Sequence, residues 1–247
     1  MSKRRFRGSF PVMTYETVTW KGRCGPFELK VAPDTFRPTT VSRLVADSMD
    51  VAPESTVIDV GCGSGVLAIV AAKLGAGRVF GIDAATSTVE VGDANARAQG
   101  VDDRTTFYQG SVFDPLPEGV QADLIIGDIS GIPDEIAAVS GWFPVGLAGG
   151  PTGAELPIRM LDEVKRFLRE GGKFLMPTGT LQDESSILEK ARSVFSNLRE
   201  LTEKSIPLPS ALAEHPAVLD MMRQKVIDIK QRGSRFLWTA RIWEGTA

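Results

Sequence analysis

The residues best suited to chemistry begin with Asp59, which ends the apolar run Thr56-Val57-Ile58-Asp59-Val60 and is followed by Gly61, Gly63 and Gly65. Glycines at alternate positions let a backbone approach a ligand, and a helix starting beyond them offers unpaired N–H groups. A second acid, Asp83, closes the run Arg78-Val79-Phe80-Gly81-Ile82-Asp83. An acid at that distance from the turn suits the hydroxyl pair of a ribose.

Gly63-x-Gly65-x-x-Ala68 also satisfies the Gly/Ala form of a dinucleotide turn. Asp59 separates the two readings. Two like charges about 4 Å apart repel by roughly 4 kcal/mol at an effective dielectric near 20, so an acid beneath the turn disfavours a pyrophosphate. S-adenosyl-L-methionine carries a sulfonium and an α-ammonium instead, and an acid attracts both. A nicotinamide-dependent oxidoreductase would leave Asp59 unexplained. A cofactor-binding module without catalysis is a further alternative.

Asp128 closes another strand-like run, Asp123-Leu124-Ile125-Ile126-Gly127-Asp128. From Thr105 to Ile158 the chain has no Lys, Arg or His, but it has Asp114, Glu118, Asp123, Asp128, Asp134, Glu135 and Glu155. A rim of one sign attracts cations and repels phosphate backbones. Were a sulfonium cofactor bound at the turn, methyl transfer from it would need a positioned lone pair and, for nitrogen, a proton acceptor. Asp128 is expected to hold a substrate N–H, with Asp134, Glu135 or Glu155 pairing with a positive amino or guanidino group. Asp128, Glu135 and Glu155 are therefore the catalytic candidates, and the expected acceptor is a small cationic, amino-acid-like amine or guanidine.

Composition narrows the rest. The chain has 247 residues, 43% of them hydrophobic, which suffices for a large α/β domain. With 28 basic and 31 acidic residues the net charge is −3, unlike a dedicated nucleic-acid binder. Cys24 and Cys62 form no C-x-x-C pair, and His215 is the only histidine, so neither a metal site nor a disulfide framework is expected. No run is long enough to span a bilayer, the basic Met1–Arg7 stretch lacks a signal-peptide core, and the cytoplasm is the expected compartment.

The elements that must position these residues alternate. Strands are expected at 56–60, 78–83, 105–109, 123–128 and 173–177, and helices at 64–74, 87–99, 155–169 and 184–196. Thr39 or Thr40 should cap a helix to Met49, Asp183 should cap another, and Gly75 and Gly100 sit at helix ends. This implies a doubly wound, mainly parallel seven-stranded Rossmann-like sheet with helices on both faces. Residues 1–38 form an N-terminal β appendage or lid, with strands at Tyr15–Trp20 and Phe27–Val31 whose apolar faces suit a homodimer contact. Residues 39–247 form the main domain. Its last strands, Leu198–Ile206 and Phe236–Trp243, flank a helical insertion at 207–233, with helix from Ala213 to Gln231. That insertion should wall the acceptor pocket through His215, Met221, Met222 and Arg223, with a capping role for His215 beside Pro216 as the alternative.

Val57 to Ala68 resembles the first motif of the class I, Rossmann-fold S-adenosylmethionine-dependent methyltransferases. Gly81-Ile82-Asp83-Ala84 resembles their second, Gly110-Ser111-Val112-Phe113-Asp114 their third, and Asp123 to Asp128 their fourth strand. Leu168 to Leu175 resembles the turn into the fifth, and the likeness spans roughly residues 39–245. Within that superfamily the chain is most similar to the protein glutamine methyltransferases of release factors and to ribosomal-protein methyltransferases. Val31 to Thr40 and Gly149-Gly150-Pro151-Thr152-Gly153-Ala154-Glu155 carry that likeness.

The resemblance implies a cofactor held by Asp59, Gly61, Gly63, Gly65, Asp83 and Ala84. Ser111 and Val112 would lie beside the adenine, Asp128 at the methyl-transfer point, and Phe36 and Thr39 in a lid. It also implies a protein side chain, glutamine or lysine, as the alternative acceptor. One departure stands out: Asp128-Ile129-Ser130-Gly131 replaces the Asn-Pro-Pro-Tyr that grips a planar amide.

Overall fold

Repulsion and attraction at the glycine turn depend on what the strands around it place there. The computed structural model describes residues 14–142 and 148–246, so the basic Met1–Arg7 stretch lies outside the described residues. The chain opens with an antiparallel hairpin of β1 (Glu16–Trp20) and β2 (Phe27–Val31). Then come α1 (Thr40–Ser48), β3 (Thr56–Val60), α2 (Val66–Lys73), β4 (Arg78–Asp83), α3 (Thr88–Ala98) and β5 (Thr105–Gln109). They are followed by β6 (Ala122–Gly127), α4 (Asp134–Ser140), α5 (Glu155–Glu163), β7 (Leu168–Gly179) and α6 (Glu184–Val194). The chain ends with β8 (Asn197–Leu208), α7 (Ser210–Ala213), α8 (Pro216–Arg223), β9 (Lys230–Arg232) and β10 (Arg235–Thr246).

The main sheet runs β5-β4-β3-β6-β7-β10-β8, with short β9 pairing β10. From β5 to β7 the strands are parallel, whereas β10 is antiparallel to both β7 and β8. This is the expected architecture, and the chain reverses its direction of travel across the sheet between β3 and β6. Ligands of open α/β sheets bind in the crevice at such a reversal, beyond the carboxyl ends of the strands.

Both faces of the sheet are buried, which is why its parallel strands read as continuous apolar runs. Val57, Val79, Leu124 and Ile126 join a core with α1 and α2. Their neighbours Ile58, Val60, Phe80, Ile82 and Ile125 pack on the other face with α5 and α6. The hairpin belongs to the first core: Trp20, Phe27 and Leu29 are buried in it. The apolar faces expected to make a dimer contact are thus covered within the chain. Asn95 of α3 latches the hairpin, receiving Lys30 N–H at 2.7 Å and donating to Lys30 O and Ser64 O.

The caps expected at Thr39 and Asp183 are present. Two expected spans differ. The helix from Glu155 ends at Glu163 and passes through a single 3-10 turn, Val164–Arg166, into β7, which starts at Leu168. The Ala213–Gln231 helix is instead two short helices, an irregular stretch and β9, because His215-Pro216 restarts the helix. These pieces, with α4, form a third apolar cluster around Ile136, Leu181, Leu208, Val218 and Met221. Among the described residues no helix is long and apolar enough to cross a membrane.

Candidate active site

Beyond the carboxyl ends of β3, β4 and β6 lies a cleft of about 1190 Å³. That is more than the roughly 300–1,000 Å³ of one small-molecule pocket, so the cleft has room for a cofactor and part of an acceptor. Its floor is the glycine turn. Gly61 has φ +82°, and a Cβ there would lie 2.6 Å from the Asp128 carbonyl oxygen. Gly65 has φ +81° and starts α2 with no room for a Cβ beside the Phe107 ring. Gly63 donates its N–H to Asp83 Oδ2 at 2.9 Å, while Ala85 N–H binds Oδ1 at 2.8 Å. Each Asp83 oxygen keeps a lone pair for a ribose hydroxyl. Burial raises the Asp83 pKa, opposed by those two backbone bonds.

Asp59 is fully buried beneath this floor and does not line the cleft. Its Oδ2 accepts the Ala68 N–H at 2.9 Å, which fastens β3 to the first turn of α2. Its Oδ1 has no hydrogen-bond partner among the described residues. Burial, then the Asp128 charge, push its pKa well above the usual carboxylate range, opposed by the Ala68 bond. The acid that distinguished the cofactors in the sequence therefore acts from below the turn.

Phe36 and Thr39 close over the turn, and Ala84, Ser111 and Val112 form the side wall beyond Asp83. Val112 has φ +53°, a left-handed conformation costly for a β-branched residue, as found where a backbone is held for function. Asp34 accepts from Thr86 Oγ1 at 2.7 Å and Ser87 N–H at 3.1 Å, which ties the segment before Phe36 to the β4–α3 loop.

At the opposite end stands Asp128, just past β6. Burial lifts its pKa to about 6, while a hydrogen bond from Ser42 Oγ to Oδ2 at 3.2 Å opposes the rise. The lining on this side includes the apolar and aromatic Ile129, Trp142, Leu181, Ile206, Pro207 and Trp238 together with the uncharged polar Ser130, Thr178 and Gln182. The charged side chains lining the cleft among the described residues are Glu16, Arg37, Asp83 and Asp128, and Arg37 pairs with Glu16 at 2.6 Å. Such a cleft fits a cationic cofactor and gives a pyrophosphate no cation at the turn.

The acidic rim expected from the sequence does not assemble. Asp123 lies at the amino end of β6, where it receives Thr56 N–H and pairs with Arg169. Asp114 pairs with Arg159. Asp134 accepts Gly150 N–H at 3.2 Å, and Glu155 accepts Thr152 N–H and Oγ1, so both hold the 149–155 loop. Glu135 is exposed on α4 and, like Glu155, lies outside the cleft lining. Of the three catalytic candidates, only Asp128 lines the cleft.

His215 is the N-cap of α8, its Nδ1 accepting Ala217 N–H at 3.3 Å. Met221 and Met222 pack in the third cluster, Arg223 pairs with Asp220, and none of these four lines the cleft. The wall they were expected to form comes from Trp142 and Trp238, which pack against that cluster from the cleft side. Sequence reasoning missed both tryptophans. Trp142 lies 14 positions after Asp128 with no intervening motif, and Trp238 sits mid-strand.

A family model described as ribosomal protein L11 methyltransferase matches residues 36–133. The ribosomal protein L11 methyltransferase of Escherichia coli O8 (strain IAI1) is 40% identical over 108 residues, 43% of this chain and 35% of the relative. That of Shewanella denitrificans is 35% identical over 153 residues, covering 61% and 42%. This chain thus spans less than half the length of these relatives. Among solved structures, a ribosomal protein L11 methylase from Lactobacillus delbrueckii subsp. bulgaricus superposes with TM-score 0.52 at 19% identity, covering 84% of this chain and 80% of that one. A T. thermophilus 16S rRNA N2 G1207 methyltransferase, in complex with AdoMet and guanosine, gives 0.63 at 15% identity, covering 97% and 52%.

The chain thus shares the fold of these methyltransferases, and residues 36–133 are similar in sequence to ribosomal protein L11 methyltransferases. The comparisons also correct the expected partner. The relatives are named for a protein that they methylate, which overturns the small cationic substrate, and the rim that suggested it is absent.

Proposed function

We propose that this chain, a relative of the class I S-adenosylmethionine-dependent methyltransferases, methylates an amine nitrogen of a protein side chain, lysine by preference. The observation that carries this reading is Asp128, among the described residues the one charged group at the apolar end of a cleft whose other end suits a nucleoside cofactor. S-adenosylmethionine, when bound, supplies an electrophilic methyl group on a cationic sulfur. Gly61, Gly63 and Gly65 would carry its amino-acid part, Asp83 its ribose, and Ser111 and Val112 its adenine side.

The acceptor chemistry follows from the wall. A lysine side chain is a methylene stem with a cationic tip, and apolar and aromatic surfaces suit the stem. A cation against an aromatic face gains about 0.5–2 kcal/mol. Asp128 would hold the ammonium as an ion pair, take up its proton and leave the nitrogen lone pair directed at the methyl group. The bound cofactor would supply the methyl group and leave as the neutral thioether, and Asp128 would pass the amine's released proton to solvent. The relatives' names support a protein acceptor.

A glutamine amide is the second reading. An amide needs a hydrogen-bond donor as well as an acceptor, and Ser130 Oγ, buried in the cleft lining, has no partner among the described residues. Methyl-labelled S-adenosylmethionine incubated with ribosomal proteins separates the readings. After acid hydrolysis, labelled methyl-lysine supports the amine reading, and labelled methylamine supports the amide. Label confined to small molecules contradicts both.

A further inference from the structure

Ser42 occupies the third position of α1, is 5% exposed, and makes two hydrogen bonds of opposite sense. Its Oγ accepts the Thr39 N–H at 3.2 Å and donates to Asp128 Oδ2 at 3.2 Å. The first bond completes a capping box, a role that Glu or Gln fills elsewhere. A glutamate here would set a like charge against Asp128. A hydroxyl can accept from the helix start and still give its own hydrogen to a carboxylate.

The partners at the two ends matter. Thr39 follows Phe36, Arg37 and Pro38, which line the cleft above the glycine turn. The Phe36 carbonyl oxygen comes within 3.3 Å of where a Cβ on Gly63 would sit. The segment covering the cofactor turn and the carboxylate at the acceptor end therefore share one hydroxyl. We infer that Ser42 is a positioning residue that couples the seating of the Phe36–Thr39 segment to the orientation and anionic form of Asp128.

The other charges around Asp128 do not substitute for it. Asp59 of β3, held below the turn, is an acid and not a counter-charge, and its own pKa is raised by the Asp128 charge. Arg37 is engaged with Glu16. Among the described residues, β7, β8 and β10 bring no charged side chain into the cleft. The Ser42 bond is what opposes burial at Asp128. Losing it would keep the carboxyl protonated to higher pH, when it can neither pair with an ammonium nor take up a proton.

This inference rests on the reading of Asp128 as the acceptor-holding group, yet its test needs no acceptor. The full chain carrying carboxyl-13C aspartate is titrated by NMR, with the Asp128 signal assigned by its loss in Asp128→Asn. The wild-type midpoint should fall near pH 6. In Ser42→Ala it should rise by about one pH unit, the usual scale of a lost bond to a carboxylate. Ser42→Thr, which keeps the hydroxyl, should restore it. If alanine disturbs folding, Ser42→Cys, a weak donor of similar size, should give an intermediate midpoint. A purely structural role would change the melting temperature without moving the midpoint. An unmoved midpoint in folded Ser42→Ala overturns the coupling and leaves methyl transfer through Asp128 standing. Failure of the functional reading would appear instead as undiminished methyl transfer by Asp128→Asn.

Discussion

At the Asp83 end of the cleft, one short stretch from Val60 to Leu67 and the tip of the neighbouring strand make much of the wall. At the Asp128 end, the wall is drawn from the β6–α4 loop, the end of β7, Ile206 and Pro207 of β8 and Trp238 of β10, up to 110 positions from Asp128. The first end is made of backbone: glycines with positive φ and N–H groups aimed at carboxylates. The second is made of side chains held by a separate apolar cluster. A backbone cradle suits a ligand that never changes, whereas a side-chain wall can be altered to suit an acceptor without touching the cofactor.

The backbone end should be the less forgiving. Gly61→Ala forces a Cβ against the Asp128 carbonyl and an L-residue into left-handed φ. Together these should cost about 2–5 kcal/mol. Cofactor binding should fall at least 100-fold by calorimetry, and wild-type affinity would refute the cradle.

Asp128→Asn should have an opposite effect on stability. Burial raises the Asp128 pKa from 3.8 to about 6. A carboxyl with a raised folded-state pKa stabilises the fold fully below its unfolded value and loses that contribution as pH rises through about 6. The asparagine variant should thus be more stable than wild type at pH 7.5, by about 1–3 kcal/mol in urea. The gain should vanish by about pH 3, below the unfolded value, and a pH-independent difference would contradict the buried charge.

Smaller effects belong to the wall. Trp238→Ala should raise the acceptor KM about 3–30-fold, the size of a cation–π contact, with cofactor affinity unchanged. A matching loss of cofactor affinity would mean that the two ends are not separable. Glu135→Gln, on an exposed helix face outside the cleft, should alter turnover less than two-fold. A large loss there would revive the acidic rim.

The same contrast explains what the sequence made legible. Asp59, the alternate glycines and Asp83 are neighbours in sequence or register, and their geometry follows from a strand, a turn and a helix start. The sheet was readable for the same reason, since each parallel strand is a compact apolar run. Charge counting failed downstream because it ignores direction. Asp123 and Asp128 sit at opposite ends of one strand, and Glu155 spends its oxygens on a loop N–H and hydroxyl. Trp142 and Trp238 carry no periodic signal and acquire meaning only through tertiary packing. The 207–233 segment was misread as mostly one helix because its apolar residues have helical spacing. His215-Pro216 and the run into β9 break that helix, and the same residues still form a core.

On the proposed reading, Asp128 at the side-chain end serves an amine acceptor while the backbone end holds the cofactor. The most direct measurement is methyl transfer from labelled S-adenosylmethionine to lysine-bearing ribosomal proteins, by wild type and Asp128→Asn, between pH 5 and 9. Wild-type kcat/KM should rise through about pH 6, where Asp128 ionises, and then level. Asp128→Asn should lose about 10²–10⁴-fold in rate and with it that rise, while binding the cofactor normally. An asparagine variant that methylates lysine at the wild-type rate, with the same pH dependence, would contradict the claim.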